Sequence, residues 1–285
     1  MSPARRPPRG RAGPAAGRGR PRPSPDRPAV SPRRGLGGEQ VEGRQAVREL
    51  LLGSRRRVRD VWLVDDVDDA AIIGDILDLA GEQRVPVRRV KRSQLESEAR
   101  SEAPQGVLAH AAPLPEAELD SLCRRGRDGR PPFLLALDGI TDPQNVGALL
   151  RTAECAGVSG VLLPRHRAAH VTPTVAKAAA GAIEHLDVAV VSGMPSALAR
   201  AKELGVWVVG LDSAGDSSLF DLTVATEPIV LVLGAEGSGL GRLTRARCDV
   251  VAAVPLLGAL DSLNVAAAGA LACFEVARRR VAKRP

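Results

Sequence analysis

The sequence predicts an α/β protein built on a mainly parallel sheet. From Phe133 onward, short continuous apolar runs alternate with segments of helical periodicity, the pattern of strands covered on both faces. A shorter alternation of the same kind occupies the region before about Ala112, and a polar stretch rich in Pro and Gly lies between the two. With 285 residues the chain has room for one large domain or two modest ones.

Taken in order, residues 1–34 come first, with ten Arg, nine Pro and a single acid, Asp26. Such a segment buries too little apolar surface to offset chain ordering, so it predicts a disordered tail. The unit over 35–112 follows. GLGGEQVEGRQAVRELLLGS predicts a helix with apolar Val41, Val47, Leu50 and Leu51, ended by Gly53. VRDVWLVDD reads as a strand, and AAIIGDILDLAGEQ as a helix with Gly81 near its C-terminus. VPVRRV, a short helix around SQLESEA, and GVLAHAA complete the unit. Residues 113–131 read as a linker in which PEAELDSL suits one helical turn or two. Within 132–285 the strand candidates are FLLALD, GVLLP, HLDVAVV, GVWVVGLD, EPIVLVLG and CDVVAAVPL, and a final helix runs from about Asn264 to Ala282. No internal repeat is present.

Composition narrows the class. Tyr is absent and only three Phe and two Trp occur, so the core must be aliphatic. Four scattered cysteines without a C-x-x-C pair argue against a zinc ribbon or disulfide framework and for a reducing cytoplasm. The Arg-rich N-terminus lacks the apolar stretch of a secretory signal, and no apolar run reaches membrane-spanning length. A soluble intracellular protein with no membrane partner is expected. The net charge of +7 is a property of the tail, because residues 1–34 carry +9 and leave −2 for the rest. The tail then reads as a salt-sensitive phosphate tether or as a dispensable extension.

Three loops stand out, each following a predicted buried strand, and ligands of α/β sheets collect at the carboxyl ends of strands. In LDGITDPQNVGALLRTAECAG (137–157), Asn145 can cap a helix whose buried stripe is Val146, Leu149, Leu150 and Ala153. Gly147 in its first turn costs stability, which implies that something approaches closely there. Arg151, one turn later and away from the stripe, suits a phosphate or carboxylate; the plainer alternative is a surface Arg pairing with Glu154. In VLVLGAEGSGLGRLT (230–244), glycines at 234, 237, 239 and 241 permit close backbone approach to a ligand. Glu236 inside that loop repels pyrophosphate and suits a cationic or ribose-bearing ligand. In VPLLGALDSLNVAAAGAL (254–271), Ser262 or Asn264 can serve as an N-cap, and the small residues after them let a helix pack closely.

Together and in this order, N-x-G-x-x-x-R, L-G-A-E-G-x-G-L and V-P-x-x-G-x-x-x-S-L-N-V resemble the three motifs of the SpoU (TrmH-type) RNA 2′-O-ribose methyltransferases. The resemblance covers residues 133–285 almost end to end. VEGRQAVRELL is similar to the start of the small substrate-binding domain of the RlmB-like branch. The resemblance implies a SPOUT-class parallel sheet with a C-terminal trefoil knot, preceded by a small α/β, L30e-like domain. It further implies S-adenosylmethionine as cofactor, no metal, and a homodimer with the active site near the subunit interface. Carried over by motif position, the cofactor contacts are Gly234, Val254 and Leu263, with Gly210 lining the same pocket. Arg151 is then the central catalytic residue, with Asn145, Glu236, Ser262 and Asn264 around it. Two departures from the family pattern are Ala266, where many relatives carry Ser, and Pro104 before Q-G, where the branch often shows His.

The implied reaction is methyl transfer to a ribose 2′-hydroxyl, foremost of a guanosine in 23S ribosomal RNA. A guanidinium hardly deprotonates at neutral pH, so Arg151 reads better as a phosphate grip that stabilises the developing alkoxide than as a base. The scarcity of aromatics turns RNA recognition toward shape and phosphate contacts. A transfer-RNA 2′-O-methyltransferase and an antibiotic-resistance variant acting on ribosomal RNA stay open within the class. A non-catalytic RNA-binding factor with this fold is the alternative outside it. A nucleotide-binding oxidoreductase fails on the late position of the glycine-rich loop and on Glu236.

Overall fold

The computed structural model describes residues 36–124, 126, 129–165 and 171–282. The disorder expected of residues 1–34 falls outside them. Among the described residues the chain forms two sheets.

The first sheet has the order β1-β4-β2-β3, with β1 at Gln40–Glu42, β2 at Val58–Val64, β3 at Val87–Val90 and β4 at Val107–Ala111. β4 runs antiparallel to β1 and β2, while β2 and β3 are parallel. Helices α1 (Arg44–Gly53) and α2 (Ala71–Glu82) cover one face through Val47, Leu50, Leu51, Ile73 and Ile76, packed on Val61, Leu63 and Ala109. On the other face α3 (Arg92–Glu98) sets Leu95 against Val64, Val90 and Leu108. The predicted first helix is corrected here. Its leading third is strand β1, and α1 starts only after Gly43, whose φ of 94° ends the strand. A strand of three residues is too short for period-two patterning to show against the helical spacing beside it. Gln105, after Pro104, accepts from the backbone N–H of Arg44 at 3.1 Å and so supplies the missing cap of α1.

The segment expected as a linker is laid onto the second sheet. Ala117 donates to the carbonyl of Val188 at 2.8 Å, and Leu114, Leu122 and Cys123 are buried. PEAELDSL yields one short helix, α4 (Leu119–Leu122).

The second sheet has seven strands: β5 (Phe133–Asp138), β6 (Gly160–Pro164), β7 (Val188–Val191), β8 (Trp207–Leu211), β9 (Ser217–Ser218), β10 (Ile229–Gly234) and β11 (Val250–Ala253). Their order is β7-β6-β5-β10-β8-β11-β9, and every pairing is parallel. All six predicted strands are present, and β9 joins them as a two-residue edge without an apolar signal. Helices α5 (Pro143–Cys155), α6 (Pro173–Ala178) and α9 (Val265–Ala282) cover one face, and α7 (Met194–Glu203) covers the other. A short α8 (Arg242–Arg245) follows β10.

Two glycines set how closely the helices pack. A Cβ on Gly147 would lie 2.3 Å from Cβ of Ala178, and one on Gly269 would lie 2.3 Å from Cδ2 of Leu149. Gly147 therefore admits α6 against α5, and Gly269 admits α9 against α5. The far end of α9 is tied down by Arg280, which donates to the carbonyls of Ala225, Pro131, Pro132 and Glu227 and lies over the Phe133 ring. Burial among these neutral acceptors pushes its guanidinium down to about 10.

Gly147→Ala will lower thermal stability. Alanine gains about 1 kcal/mol of helix propensity, but a methyl group against the α6 backbone is overpacking of about 1–3 kcal/mol. A calorimetric Tm above that of the parent protein would show that this contact is loose.

Candidate active site

β5, β10, β8 and β11 end level with one another. Gly234 pairs with Asp138, Leu233 with Leu211, and Ala252 with Leu211. Four loops therefore leave the same edge of the sheet, and beside them opens a cavity of about 580 Å³. Gly234, Glu236, Val254, Ser262, Leu263 and Asn264 are among the residues that line it.

The glycine-rich loop owes its shape to backbone freedom. A Cβ on Gly234 would lie 2.1 Å from the Gly239 carbonyl oxygen, so no larger residue fits while the loop folds back over it. Gly239 donates to Ala235 at 2.9 Å, and Gly237 and Gly239 take φ of 75° and 62°, the left-handed region. At the end of the loop Thr244 donates to Asp138 at 2.5 Å, which fastens α8 to the end of β5.

At the cavity rim three motif residues meet. The carboxamide oxygen of Asn264 accepts from the N–H groups of Ala266 and Ala267 at 2.9 and 3.3 Å, capping α9. Its Nδ2 donates to Oδ1 of Asn145 at 3.0 Å and to Oε1 of Glu236 at 2.8 Å. One end of the amide thus caps α9 while the other bridges the first and second motif loops.

The expected cap of α5 is corrected. Asp142 is the N-cap and accepts from the Asn145 N–H at 2.8 Å, with Pro143 opening the helix. Asn145 sits within the first turn, so its side chain is free to meet Asn264.

Gly210 is corrected as well. It is not among the lining residues, and its Cα faces Leu240 and Cys248, where a Cβ would approach to 2.6 and 2.7 Å. Side chains alternate across a strand, so its neighbour Leu211 lines the cavity instead.

The clearance at Gly147 serves α6, as described above, and not a ligand. Arg151 is exposed and does not line the cavity; it stands about 9 Å along the helix axis from Asn145. It forms no ion pair with Glu154, and among the described residues it has no hydrogen-bond partner.

Residues outside the motifs also shape the site. Asp212 and Asp261 line the cavity together with the motif residue Glu236, and no Lys or Arg is among the lining residues. Arg245 reaches Asp212 from outside at 3.1 Å. The sequence signal for Asp138 and Asp212 is their place, each at the end of an apolar strand run. A cavity lined by carboxylates favours a ligand with positive charge.

A parallel α/β sheet with an acidic, glycine-walled cavity at the carboxyl ends of its strands is the place where α/β folds hold a small-molecule ligand. Comparison with known proteins supplies the family. Residues 132–274 match the SpoU rRNA Methylase family, and residues 40–126 match the domain described as RNA 2′-O ribose methyltransferase substrate binding. The chain belongs to the SpoU family. It is 36% identical over 249 residues to the 23S rRNA (guanosine-2′-O-)-methyltransferase RlmB of Pseudomonas putida, which covers 86% of this chain and 98% of that protein. The protein of the same description from Pseudomonas aeruginosa is 39% identical over 245 residues, covering 85% and 97%. Among solved structures, a putative RNA methyltransferase of the TrmH family from Porphyromonas gingivalis superposes with a TM-score of 0.66 at 29% identity, covering 84% of this chain and 89% of that one. The fold is shared with the SpoU methyltransferase AviRb of Streptomyces viridochromogenes in complex with AdoMet, at a TM-score of 0.70, 23% identity, and coverage of 85% and 90%.

Asn264→Ala removes the α9 cap and both rim hydrogen bonds at once. The cap contributes about 1 kcal/mol, so the variant will fold with a modestly lowered Tm. Asn264→Asp keeps an acceptor for the cap but sets a carboxylate against Glu236. It will melt closer to the parent protein and still lose turnover. Equal turnover in Asn264→Asp and the parent would show that Nδ2 is not needed.

Proposed function

We propose that this chain is an S-adenosylmethionine-dependent RNA methyltransferase acting on the ribose 2′-hydroxyl of a guanosine in 23S ribosomal RNA. The observation that carries the reading is the Asn145–Asn264–Glu236 cluster at the rim of the acidic cavity. Its support on the substrate side is the similarity along nearly the whole length of the RlmB relatives.

The cavity suits a cationic sulfonium ligand, and Gly234, Val254 and Leu263 line it where the family motifs imply cofactor contacts. When bound, S-adenosylmethionine supplies an activated methyl group. The chain's own task is to place the ribose hydroxyl in line and ease the loss of its proton. Arg151 grips the neighbouring phosphate and stabilises the developing alkoxide, since a guanidinium keeps its proton at neutral pH. Asn145, Glu236, Ser262 and Asn264 orient the groups around it.

The protein acts as a homodimer. Arg151 lies outside the cavity of its own chain, and apolar side chains stand uncovered nearby: Leu257 and Leu260 on the loop before α9, Leu271 and Phe274 on α9 itself. A second copy covers such a surface and offers its cavity to Arg151. The domain division is residues 35–112 for RNA binding, 113–131 as connection and 132–285 for methyl transfer. The family's trefoil knot belongs to the same reading, supported by the two motif loops that wall one cavity. The expected compartment is the cytoplasm; no described helix is long and apolar enough to cross a membrane.

RNA contacts on the small domain fall to a row of exposed cations. Arg57 and Arg59 lie at the start of β2, Arg88 and Arg89 lie on β3, the outer strand of its sheet, and Arg84 and Lys91 lie before and after β3. Arg57, Arg59, Arg84 and Lys91 have no ion-pair partner among the described residues.

Titration calorimetry will show binding of S-adenosylmethionine, and Arg151→Lys will keep that affinity. The same variant will lose roughly 10²-fold in kcat, because lysine lacks the bidentate fork. Absence of binding at millimolar cofactor would turn the reading toward a non-catalytic RNA-binding factor.

Arg59→Gln, Arg84→Gln and Lys91→Gln together will flatten the plot of log affinity for 23S rRNA against log salt. The slope will fall by about 2 to 3, according to whether the contacts are to single strands or duplex. An unchanged slope would remove these residues from the interface.

A further inference from the structure

The small domain is joined to the catalytic domain by more than its connecting segment. Arg56, between α1 and β2, meets Glu184, which lies in a 3-10 turn at Ala182–His185 just beyond α6. The contact is bidentate, at 2.6 and 3.0 Å, and the two side chains are 3% and 2% exposed. Nη1 of Arg56 also donates to the carbonyls of Gly38 and Ala112, both at 2.6 Å. One guanidinium therefore ties both ends of the small domain to the catalytic domain.

More exposed contacts ring this pair. Arg55 donates to the Leu186 carbonyl at 2.8 Å and pairs with Asp187. Glu49 meets His185 at 2.9 Å, and Lys177 on α6 donates to the carbonyls of Glu102 and Ala103. These are partly exposed and screened by solvent, so each holds weakly. The buried pair is different. Desolvating two charges cancels much of their attraction, and apolar side chains of similar volume would stabilise the interface as well or better. Its distinguishing property is geometric, because the buried charges are satisfied only in the one arrangement that brings the fork onto the carboxylate.

That arrangement bears on the active site. The turn holding Glu184 follows α6, α6 packs on α5 at Gly147, and α5 carries Asn145 and Arg151. We propose that the Arg56–Glu184 pair is a positioning device for RNA. It holds the small domain at one angle to the methyl-transfer site, so that RNA gripped by the small domain presents its target ribose to Arg151. The proposal rests on the RNA methyltransferase reading given above.

The test uses the full chain and unmodified 23S rRNA transcribed in vitro, with a reversible lock in place of the ion pair. A Cβ on Gly53, at the end of α1, would lie 3.5 Å from Cβ of Glu184, within the span of a disulfide. Gly53→Cys with Glu184→Cys, in a Cys155→Ser background, is folded oxidised and measured before and after reduction; Glu184→Gln is measured beside it. A domain that spends a tenth of its time in the competent geometry has its apparent affinity lowered about tenfold. The KM for RNA is therefore expected to rise about tenfold in Glu184→Gln and in the reduced protein, and to return to within twofold of the parent on oxidation. kcat at saturating RNA and affinity for S-adenosylmethionine stay within twofold throughout. A flat KM in the reduced protein, or a raised KM that oxidation does not recover, overturns the positioning role while leaving the methyltransferase reading intact. A parent protein that neither binds S-adenosylmethionine nor methylates the RNA overturns both. Should Glu184→Gln fail to fold, the oxidised and reduced pair decides alone.

Discussion

Asn264 holds the three motif segments together at the rim of the cavity. Its amide oxygen caps the helix that covers the sheet, while its amide nitrogen ties together the first and second motif loops. The three motifs lie far apart in sequence, yet one carboxamide satisfies a helix terminus and fixes two rim side chains. An asparagine suits this place because it offers an acceptor and two donors in one plane. Aspartate would turn the donor end into a second acceptor facing Glu236, and serine would have too few atoms to reach both partners.

The parallel sheet makes that meeting possible. β10 enters between β5 and β8, so the strand before the glycine-rich loop stands beside the strand before Asn145. Level strand ends place the loops together, and small residues let the covering helices come near enough to keep them there. Gly147 and Gly269 act through backbone proximity, one toward α6 and the other toward Leu149 and Leu233. The glycine of the first motif thus has its purpose in packing, and the polar contact to the other motif residues at that helix is made by Asn145.

Charge is divided along the chain in a way that fits the proposed chemistry. The tail is strongly basic, the cavity is lined by carboxylates, and the outer edge of the small domain carries unpaired Arg and Lys. A cationic cofactor and a polyanionic substrate are thereby drawn to separate surfaces of one molecule. The buried Arg56–Glu184 pair then sets how those surfaces face each other.

Sequence alone determined the alternating architecture, the six apolar strands, the long final helix and the motif residues that line the cavity. Each of these is written in a local pattern: a continuous apolar run, a 3.6-residue period, a fixed spacing after a strand. Tertiary structure decided the rest, because it depends on residues distant in the chain. The cap of α5 is Asp142 and not Asn145, whose side chain instead meets Asn264 at the start of α9. A first strand of three residues replaced the head of a predicted helix since β4 was there to pair with it. Gly210 turned away from the cavity with the alternation of its strand, and Gly147 proved to face a neighbouring helix. The ion pair between Arg56 and Glu184 joins positions 128 residues apart, and no spacing rule announces it. Local periodicity fixes which face of an element is apolar; only the assembled fold fixes which element that face meets.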